Sequence, residues 1–317
     1  MSSAVRPVSV LVYDAAAAAR YAKLVTPSPR VSLRVCTTRD EALGAIREAE
    51  VVYGWKVPSE VWRGARRLRW LQVMGAGADW ALVPTLPRRV IITRAPGLFG
   101  PWMVEYTLGW CLWVTQRMAT FTAAKRERRW LRDVIPERLG GRTMAVIGLG
   151  DIGRAIARAA RALGMTVVGV SLSGRPVRGV KQVFLPRGLL RALALADVVV
   201  VAAPLTRQTR GLLGPKAMAA MRPSAWLMNI ARGPVVDEGA LLDALRGRRI
   251  AGAILDVFAT EPLPAHHPLW SLDNVVITPH ISGPSTPEQI TPVFNRNLAR
   301  YLAGQPLQHV VERRRGY

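Results

Sequence analysis

Three places in the second half of the chain combine side chains that handle protons and anions. Asn229-Ile230-Ala231-Arg232-Gly233 follows an apolar run ending at Met228, Asp256 and Glu261-Pro262 follow one ending at Leu255, and Pro279-His280 follows one ending at Thr278. An imidazole exchanges a proton near neutral pH, and a carboxylate beside it orients the ring and favours its cation. A planar guanidinium grips a carboxylate and a neighbouring carbonyl through paired hydrogen bonds. Each residue alone is unremarkable, since an Arg at a strand end is usually surface and a lone His usually structural. Three such groups at the carboxyl ends of successive strands, where open parallel sheets bind ligands, make a candidate reaction centre.

Earlier in the chain, Thr143 to Ile147 leads into Gly148-Leu149-Gly150-Asp151-Ile152-Gly153 and an Ala- and Arg-rich helical stretch. This is the strand, tight turn and helix start that cradles a dinucleotide pyrophosphate, with helix N–H groups aimed at the anion. Together the two features suit hydride transfer. Arg232 would hold the acid, His280 would give a proton to the carbonyl oxygen as nicotinamide gives hydride to carbon, and Glu261 would favour the imidazolium, so reduction should fade as pH rises. Asp256 is placed to accept from the nicotinamide carboxamide or, alternatively, to cap a turn.

The elements that must position these groups alternate between β and α throughout, which argues for parallel sheets flanked by helices. Val8–Tyr13, Val31–Cys36, Val51–Trp55, Leu71–Met74 and Val90–Thr93 read as strands with helical stretches between the first four, the first of them containing the alanine run Ala15–Ala19. Trp102–Arg117 reads as one long apolar helix, either core or a subunit surface. Met144–Ile147, Val167–Val170, Gln182–Leu185, Val198–Val201, Trp226–Met228, Ala253–Leu255 and Val275–Thr278 read as a second strand series, and a last helix over Pro287–Leu302 returns to the first domain. The expectation is α/β with two Rossmann/flavodoxin-like parallel-sheet domains and the active site in the cleft between them. Residues 1–99 plus 286–317 would form a discontinuous flavodoxin-like substrate-binding domain, and 100–285 the dinucleotide-binding Rossmann domain.

Across nearly its full length the chain resembles the D-isomer-specific 2-hydroxyacid dehydrogenase family. The glycine turn, Pro204-Leu205-Thr206 with Thr209, Asn229 to Gly233, Leu255-Asp256-Val257-Phe258 with Glu261-Pro262, and Thr278-Pro279-His280 carry the likeness in order. The resemblance implies catalytic roles for Arg232, Glu261 and His280. It implies cofactor contacts at Gly148, Gly150, Asp151, Ile152, Gly153, Pro204, Thr209, Ile230, Ala231, Asp256 and Gly283. It also implies a carboxylate-binding loop at Gly75-Ala76-Gly77, where small residues leave backbone N–H groups open to an anion. Tyr53-Gly54-Trp55, Met103 to Tyr106 and Arg315-Gly316-Tyr317 are most similar to glyoxylate and hydroxypyruvate reductases. Trp55 would then narrow the substrate site to short acids, or simply pack. Lactate, phosphoglycerate and bulkier-acid dehydrogenases, formate or phosphite oxidation, and a nonenzymatic corepressor-like dinucleotide sensor are the alternatives.

Where an NAD-type site carries an Asp for the ribose 2′-hydroxyl, this chain has Ser171-Leu172-Ser173-Gly174-Arg175, with Arg178 following. Hydroxyls and Arg suit a 2′-phosphate, so NADP(H) is expected over NAD(H), with Ser171, Ser173 and Arg175 as contacts.

Charge and composition bound the rest. Of 317 residues, 44 are basic and 21 acidic, giving +23, and 39 of the basic residues are Arg. Such a field attracts anions, but the basic residues are spread out, and Arg63–Arg69, Lys125–Arg132 and Arg313–Arg315 read as solvated helix faces and a polar tail. No specific nucleic-acid partner is expected. Two cysteines and four histidines without ligand spacing predict neither a disulfide framework nor a metal site. No apolar run spans a membrane and no leader is apparent, so a cytoplasmic protein acting on a small 2-oxo or 2-hydroxy acid, as a homodimer like its relatives, is the expectation.

Overall fold

The computed structural model describes residues 6–317 and divides the chain into two compact units, one comprising residues up to Leu98 together with Ser285–Tyr317, the other Phe99–Pro284. The first unit contains β1 (Val8–Tyr13), α1 (Ala18–Lys23), β2 (Val31–Cys36), α2 (Arg39–Ala45), β3 (Val51–Gly54), β4 (Trp70–Val73) and β5 (Ile91–Thr93). These strands pair in parallel in the order β2-β1-β3-β4-β5, which is the flavodoxin-like order. β3 and β4 are buried along their whole length, as strands covered on both faces must be. The unit's last helix, here numbered α9 (Pro287–Leu302), inserts Phe294 between Tyr53 and Trp70, at ring distances of 4.1 and 5.3 Å.

Three local expectations are corrected in this unit. The alanine run mostly precedes α1, because Asp14 Oδ1 accepts from the N–H groups of Ala16 and Ala17 and holds them in a turn. Between β3 and β4 only a short 3-10 turn forms, Val61–Gly64, since Pro58 and Gly64 leave too short a run of helix formers. Arg313 is no solvated tail. The chain at Val310 bridges antiparallel to Thr93, Val311 N–H donates to Ile92 O at 2.8 Å, and Arg313 donates to the carbonyls of Pro87 and Val90 at 3.1 and 2.9 Å. The open edge of β5 supplies those backbone partners.

The second unit contains α3 (Gly100–Thr115), α4 (Met118–Arg126), β6 (Thr143–Ile147), α5 (Asp151–Ala162), β7 (Thr166–Val170), β8 (Gln182–Phe184), α6 (Leu189–Leu195), β9 (Val198–Val201), α7 (Pro215–Ala220), β10 (Trp226–Asn229), α8 (Glu238–Arg246), β11 (Gly252–Leu255) and β12 (Val275–Ile277). All seven strands are parallel, in the order β12-β11-β10-β9-β6-β7-β8. The long apolar helix stops two residues short of Arg117. Glu137 N–H takes the Thr115 carbonyl at 2.8 Å, Gln116 donates to Glu137 O at 2.9 Å, and Arg117 turns to φ 54 before α4 begins. The basic run from Lys125 is helical only to Arg126. Among the described residues no helix is long and apolar enough to cross a membrane, and no group of three or more His, Cys, Asp or Glu is placed to hold a metal ion.

Candidate active site

The second unit's sheet brings the chemistry-bearing loops to one edge. Register pairs Ile147 with Val201, Val201 with Asn229, Asn229 with Leu255 and Leu255 with Ile277, so the carboxyl ends of β6, β9, β10, β11 and β12 are level. Adjacent strands are about 4.8 Å apart, so the loops carrying Arg232, Glu261 and His280 leave neighbouring strand ends on the edge that also carries the glycine turn.

His280 Nδ1 lies 2.9 Å from Glu261 Oε2, with both side chains partly exposed. Glu261 Oε1 accepts from Phe258 N–H at 3.2 Å, which ties the carboxylate to its own loop. His280 has φ +57, a left-handed backbone that side chains other than Gly seldom adopt. Its N–H donates to the carbonyls of Asp256 and Thr278 at 2.9 and 3.1 Å. Arg232 precedes the 3-10 turn Gly233–Val235, and Asn229 braces its loop by accepting from Ala231 N–H at 3.2 Å and donating to Arg232 O at 3.1 Å. A Cβ on Gly233 would overlap the backbone of Phe258 and Ala259, so glycine there is what lets the Arg232 loop lie against the Glu261 loop.

Asp256 is buried, and its carboxylate accepts from Thr278 Oγ1 at 2.6 Å, Ile281 N–H at 2.8 Å and Ser282 N–H at 2.9 Å. Of its two expected roles, the structure displays the turn cap. Tyr106 Oη on α3 lies 2.6 Å from Thr278 Oγ1. Burial pushes the Tyr106 phenol well above its usual value, against a smaller downward pull from its bond to Thr278. Nothing in the local sequence signals this contact, whose partners are 172 positions apart.

The glycine turn fits a dinucleotide. Gly148 has φ +102, and a Cβ there would stand 2.6 Å from Ala203 N, while one on Gly153 would overlap the Gly148 carbonyl. At Gly150, by contrast, nothing lies within 4 Å of an added Cβ. Gly150 is the N-cap of α5 without a side-chain cap, and the first helical bond runs from Arg154 N–H to Gly150 O, leaving the N–H groups of Asp151, Ile152 and Gly153 ahead of it. Arg154, which the sequence did not single out, donates through Nε to Leu149 O at 2.9 Å and fixes the peptide between the two glycines.

Beyond β7, Ser171 Oγ accepts from Gly174 N–H at 3.2 Å and Ser173 Oγ from Arg175 N–H at 3.3 Å, with the two hydroxyls 3.5 Å apart. Ser173 and Arg175 are exposed. Beyond β9, Thr209 Oγ1 donates to Pro204 O at 2.6 Å and closes a turn with Thr206. Ile230 is buried, and its N–H donates to Val201 O. Gly283 packs closely on Met103 and Phe99 at the start of α3.

Considered by itself, the first unit places Trp55 just past β3 with its ring over Gly75, where a Cβ would meet it at 2.5 Å. Trp80 meets Trp55 edge-on at 6.2 Å. Trp55 therefore has a packing role, and it keeps Gly75-Ala76-Gly77 free of side-chain bulk at the first position.

Residues 108–282 match the D-isomer specific 2-hydroxyacid dehydrogenase, NAD binding domain. A glyoxylate reductase of Thermofilum pendens is 32% identical over 280 residues, covering 84% of this chain and 83% of its own length. A D-3-phosphoglycerate dehydrogenase of Methanocaldococcus jannaschii is 31% identical over 300 residues, 90% of this chain and 57% of the relative. The crystal structure of a D-isomer specific 2-hydroxyacid dehydrogenase family protein from Aeromonas salmonicida subsp. salmonicida aligns with a TM-score of 0.89 at 34% identity, covering 98% of this chain and all of that one. An NADPH-dependent glyoxylate/hydroxypyruvate reductase from Sinorhizobium meliloti, in complex with NADP and sulfate, aligns at 0.88 and 27% identity with the same coverage. The family match over more than half of the chain and the similarity over nearly its whole length show that the chain belongs to the D-isomer specific 2-hydroxyacid dehydrogenase family of NAD(P)-dependent oxidoreductases.

Proposed function

We propose that the protein reduces a small 2-oxo acid of the glyoxylate or hydroxypyruvate type to the 2-hydroxy acid, with NADPH preferred and His280 as proton donor. The observation that carries this reading is the 2.9 Å contact between His280 Nδ1 and Glu261 Oε2. A carboxylate on Nδ1 fixes the ring and leaves Nε2 as the nitrogen that meets the substrate oxygen. Arg232 binds the carboxylate and polarises the carbonyl. The nicotinamide, when bound, supplies the hydride. Gly148, Gly150, Asp151, Ile152 and Gly153 hold its pyrophosphate through backbone, and Pro204, Thr209, Ile230, Ala231, Asp256 and Gly283 belong to the loops around it. Trp55, Ala76 and Gly77 are assigned to substrate by the family likeness.

Preference for NADPH follows from the turn after β7. Ser171 and Ser173 use their oxygens as acceptors for backbone N–H and share one hydroxyl hydrogen between them, which leaves the other for a phosphate, and no carboxylate follows the strand to repel one. A homodimer is also proposed. Trp102 and Leu112 on α3, Met118 and Phe121 on α4, and Trp130 and Ile135 beyond it, the last two 87% and 77% exposed, leave apolar side chains on the surface of the second unit.

The test is turnover of glyoxylate, hydroxypyruvate, pyruvate and bulkier 2-oxo acids with each cofactor. NADPH should give the higher kcat/KM, short acids should be favoured, and His280→Gln and Arg232→Ala should each lower kcat by about 100-fold or more. A pH-rate profile flat from acid to alkaline conditions removes His280 from its role, and a higher kcat/KM with NADH overturns the cofactor reading.

A further inference from the structure

We propose that Tyr106 is a positioning residue for His280, acting through the hydrogen-bond chain Tyr106–Thr278–Asp256; this rests on His280 being the proton donor. His280 holds a left-handed backbone despite carrying a side chain, and such a conformation persists only where its surroundings over-determine it. Asp256 does this from both sides. Its carbonyl takes His280 N–H, its carboxylate takes the N–H groups of Ile281 and Ser282, and the same carboxylate takes the Thr278 hydroxyl two residues before the histidine.

The direction of the chain follows from counting hydrogens. A threonine hydroxyl has one, and here it is spent on Asp256 Oδ1 at 2.6 Å. Tyr106, 2.6 Å from Thr278 Oγ1, must therefore donate to it. That donation occupies one lone pair of the Thr278 oxygen and favours the rotamer whose hydrogen lies on Asp256. Tyr106 stands on α3, outside the strand-end loops, so it anchors the His280 loop to a separate element. Without the phenol hydrogen, the Thr278 oxygen is left short of a donor in a partly buried place. The hydroxyl can then rotate away from Asp256, and the clamp loosens next to the catalytic ring.

The experiment compares Tyr106→Phe, Thr278→Val and Thr278→Ser with wild type in two ways. Amide hydrogen exchange of residues 280–282 needs no substrate, and kinetics with NADPH and glyoxylate separate kcat from KM. Tyr106→Phe should speed exchange at 280–282 by about tenfold while β6 and β9 stay protected, and lower kcat by about five- to tenfold with glyoxylate KM and NADPH Kd within about twofold. Thr278→Val should do more, and Thr278→Ser, which restores a hydroxyl, should return both readouts to within about twofold of wild type. Unchanged exchange in Tyr106→Phe overturns the chain, as does a fall in kcat without it. Faster exchange in a protein whose wild type turns over no 2-oxo acid supports the clamp and counts against the proposed reaction alone.

Discussion

Gly148 and Gly150 lie in one turn, yet a methyl group added to each is expected to do opposite things. At Gly148, φ is +102 and the new Cβ would stand 2.6 Å from Ala203 N, 2.7 Å from Ala203 Cα and 2.8 Å from the Ala202 carbonyl carbon. All three are backbone atoms, so no side chain can swing aside. Ordinary contact begins at 3.4 Å, so turn and neighbouring strand end must part by about 0.8 Å in a close-packed interior. Overpacking of that kind costs about 1–3 kcal/mol, and the positive φ adds about 1–2 kcal/mol. Gly148→Ala should therefore lose about 2–5 kcal/mol, which for a protein of this size lowers Tm by about 3–8 °C.

At Gly150 the backbone is ordinary, φ −76 and ψ −163, and the added methyl meets no protein atom within 4 Å. Replacing an N-cap Gly by Ala costs about 0.5–1 kcal/mol, and restricting the unfolded chain returns about as much. Tm should stay within about 2 °C. On the proposed reading, the methyl occupies the open space through which a phosphate would reach the first-turn N–H groups of α5. Stretching those charge-assisted bonds costs about 1.5–3 kcal/mol, so NADPH should bind about 10- to 100-fold more weakly. Thermal melts and a fluorescence titration with NADPH separate the two effects, and Gly109→Ala, an open position inside α3, is the control expected to be neutral or slightly stabilising. If Gly150→Ala binds NADPH as wild type does, or melts as early as Gly148→Ala, the turn does not work this way.

Three further outcomes follow from other parts of the molecule. Burial pushes the Cys111 thiol up to about 12 from a model-compound value of 9.0. The fold thus favours the neutral thiol, and its contribution is complete below pH 9 and lost as pH climbs toward 12, at about 1.4 kcal/mol per pH unit. Urea unfolding under reducing conditions at pH 8 and pH 10 should show a steeper loss in wild type than in Cys111→Ala, and equal losses refute the assignment. Arg313→Ala removes donors from the carbonyls of Pro87 and Val90, and should cost about 1–3 kcal/mol in the same assay; a change below about 0.5 kcal/mol would return Arg313 to the solvated tail. Light scattering should find a dimer that Trp130→Glu with Ile135→Glu dissociates, whereas a monomeric wild type sinks the proposed assembly.

The distribution of what was legible in the sequence follows the range of the interactions. Strands buried on both faces, such as Val198–Val201, announce themselves as β-branched runs, and the glycine turn is a local necessity written in consecutive residues. The level ends of β10, β11 and β12 follow from parallel pairing, which is why Arg232, Glu261 and His280 could be placed on one edge before any coordinates. What escaped depends on partners remote in the chain. Arg117 leaves the helix because Glu137 takes the carbonyl of Thr115, and Arg313 is fixed because β5 offers an unpaired edge. Neither Arg differs in type or neighbours from the many solvated ones.

The same logic separates the reacting groups from what holds them. A proton donor must be a particular residue type, so His280, the proposed donor, stands out among only four histidines. A backbone clamp needs only some carboxylate and some hydroxyl in reach, and Asp256, Thr278 and Tyr106 are each ordinary until the loop folds around them. The left-handed φ of His280 is equally silent in sequence, because no glycine or asparagine marks it. On the proposed reading, an imidazole needed for chemistry occupies a position that backbone preference alone would give to another residue, and the three bonds on the Asp256 carboxylate are the surroundings proposed to keep it there.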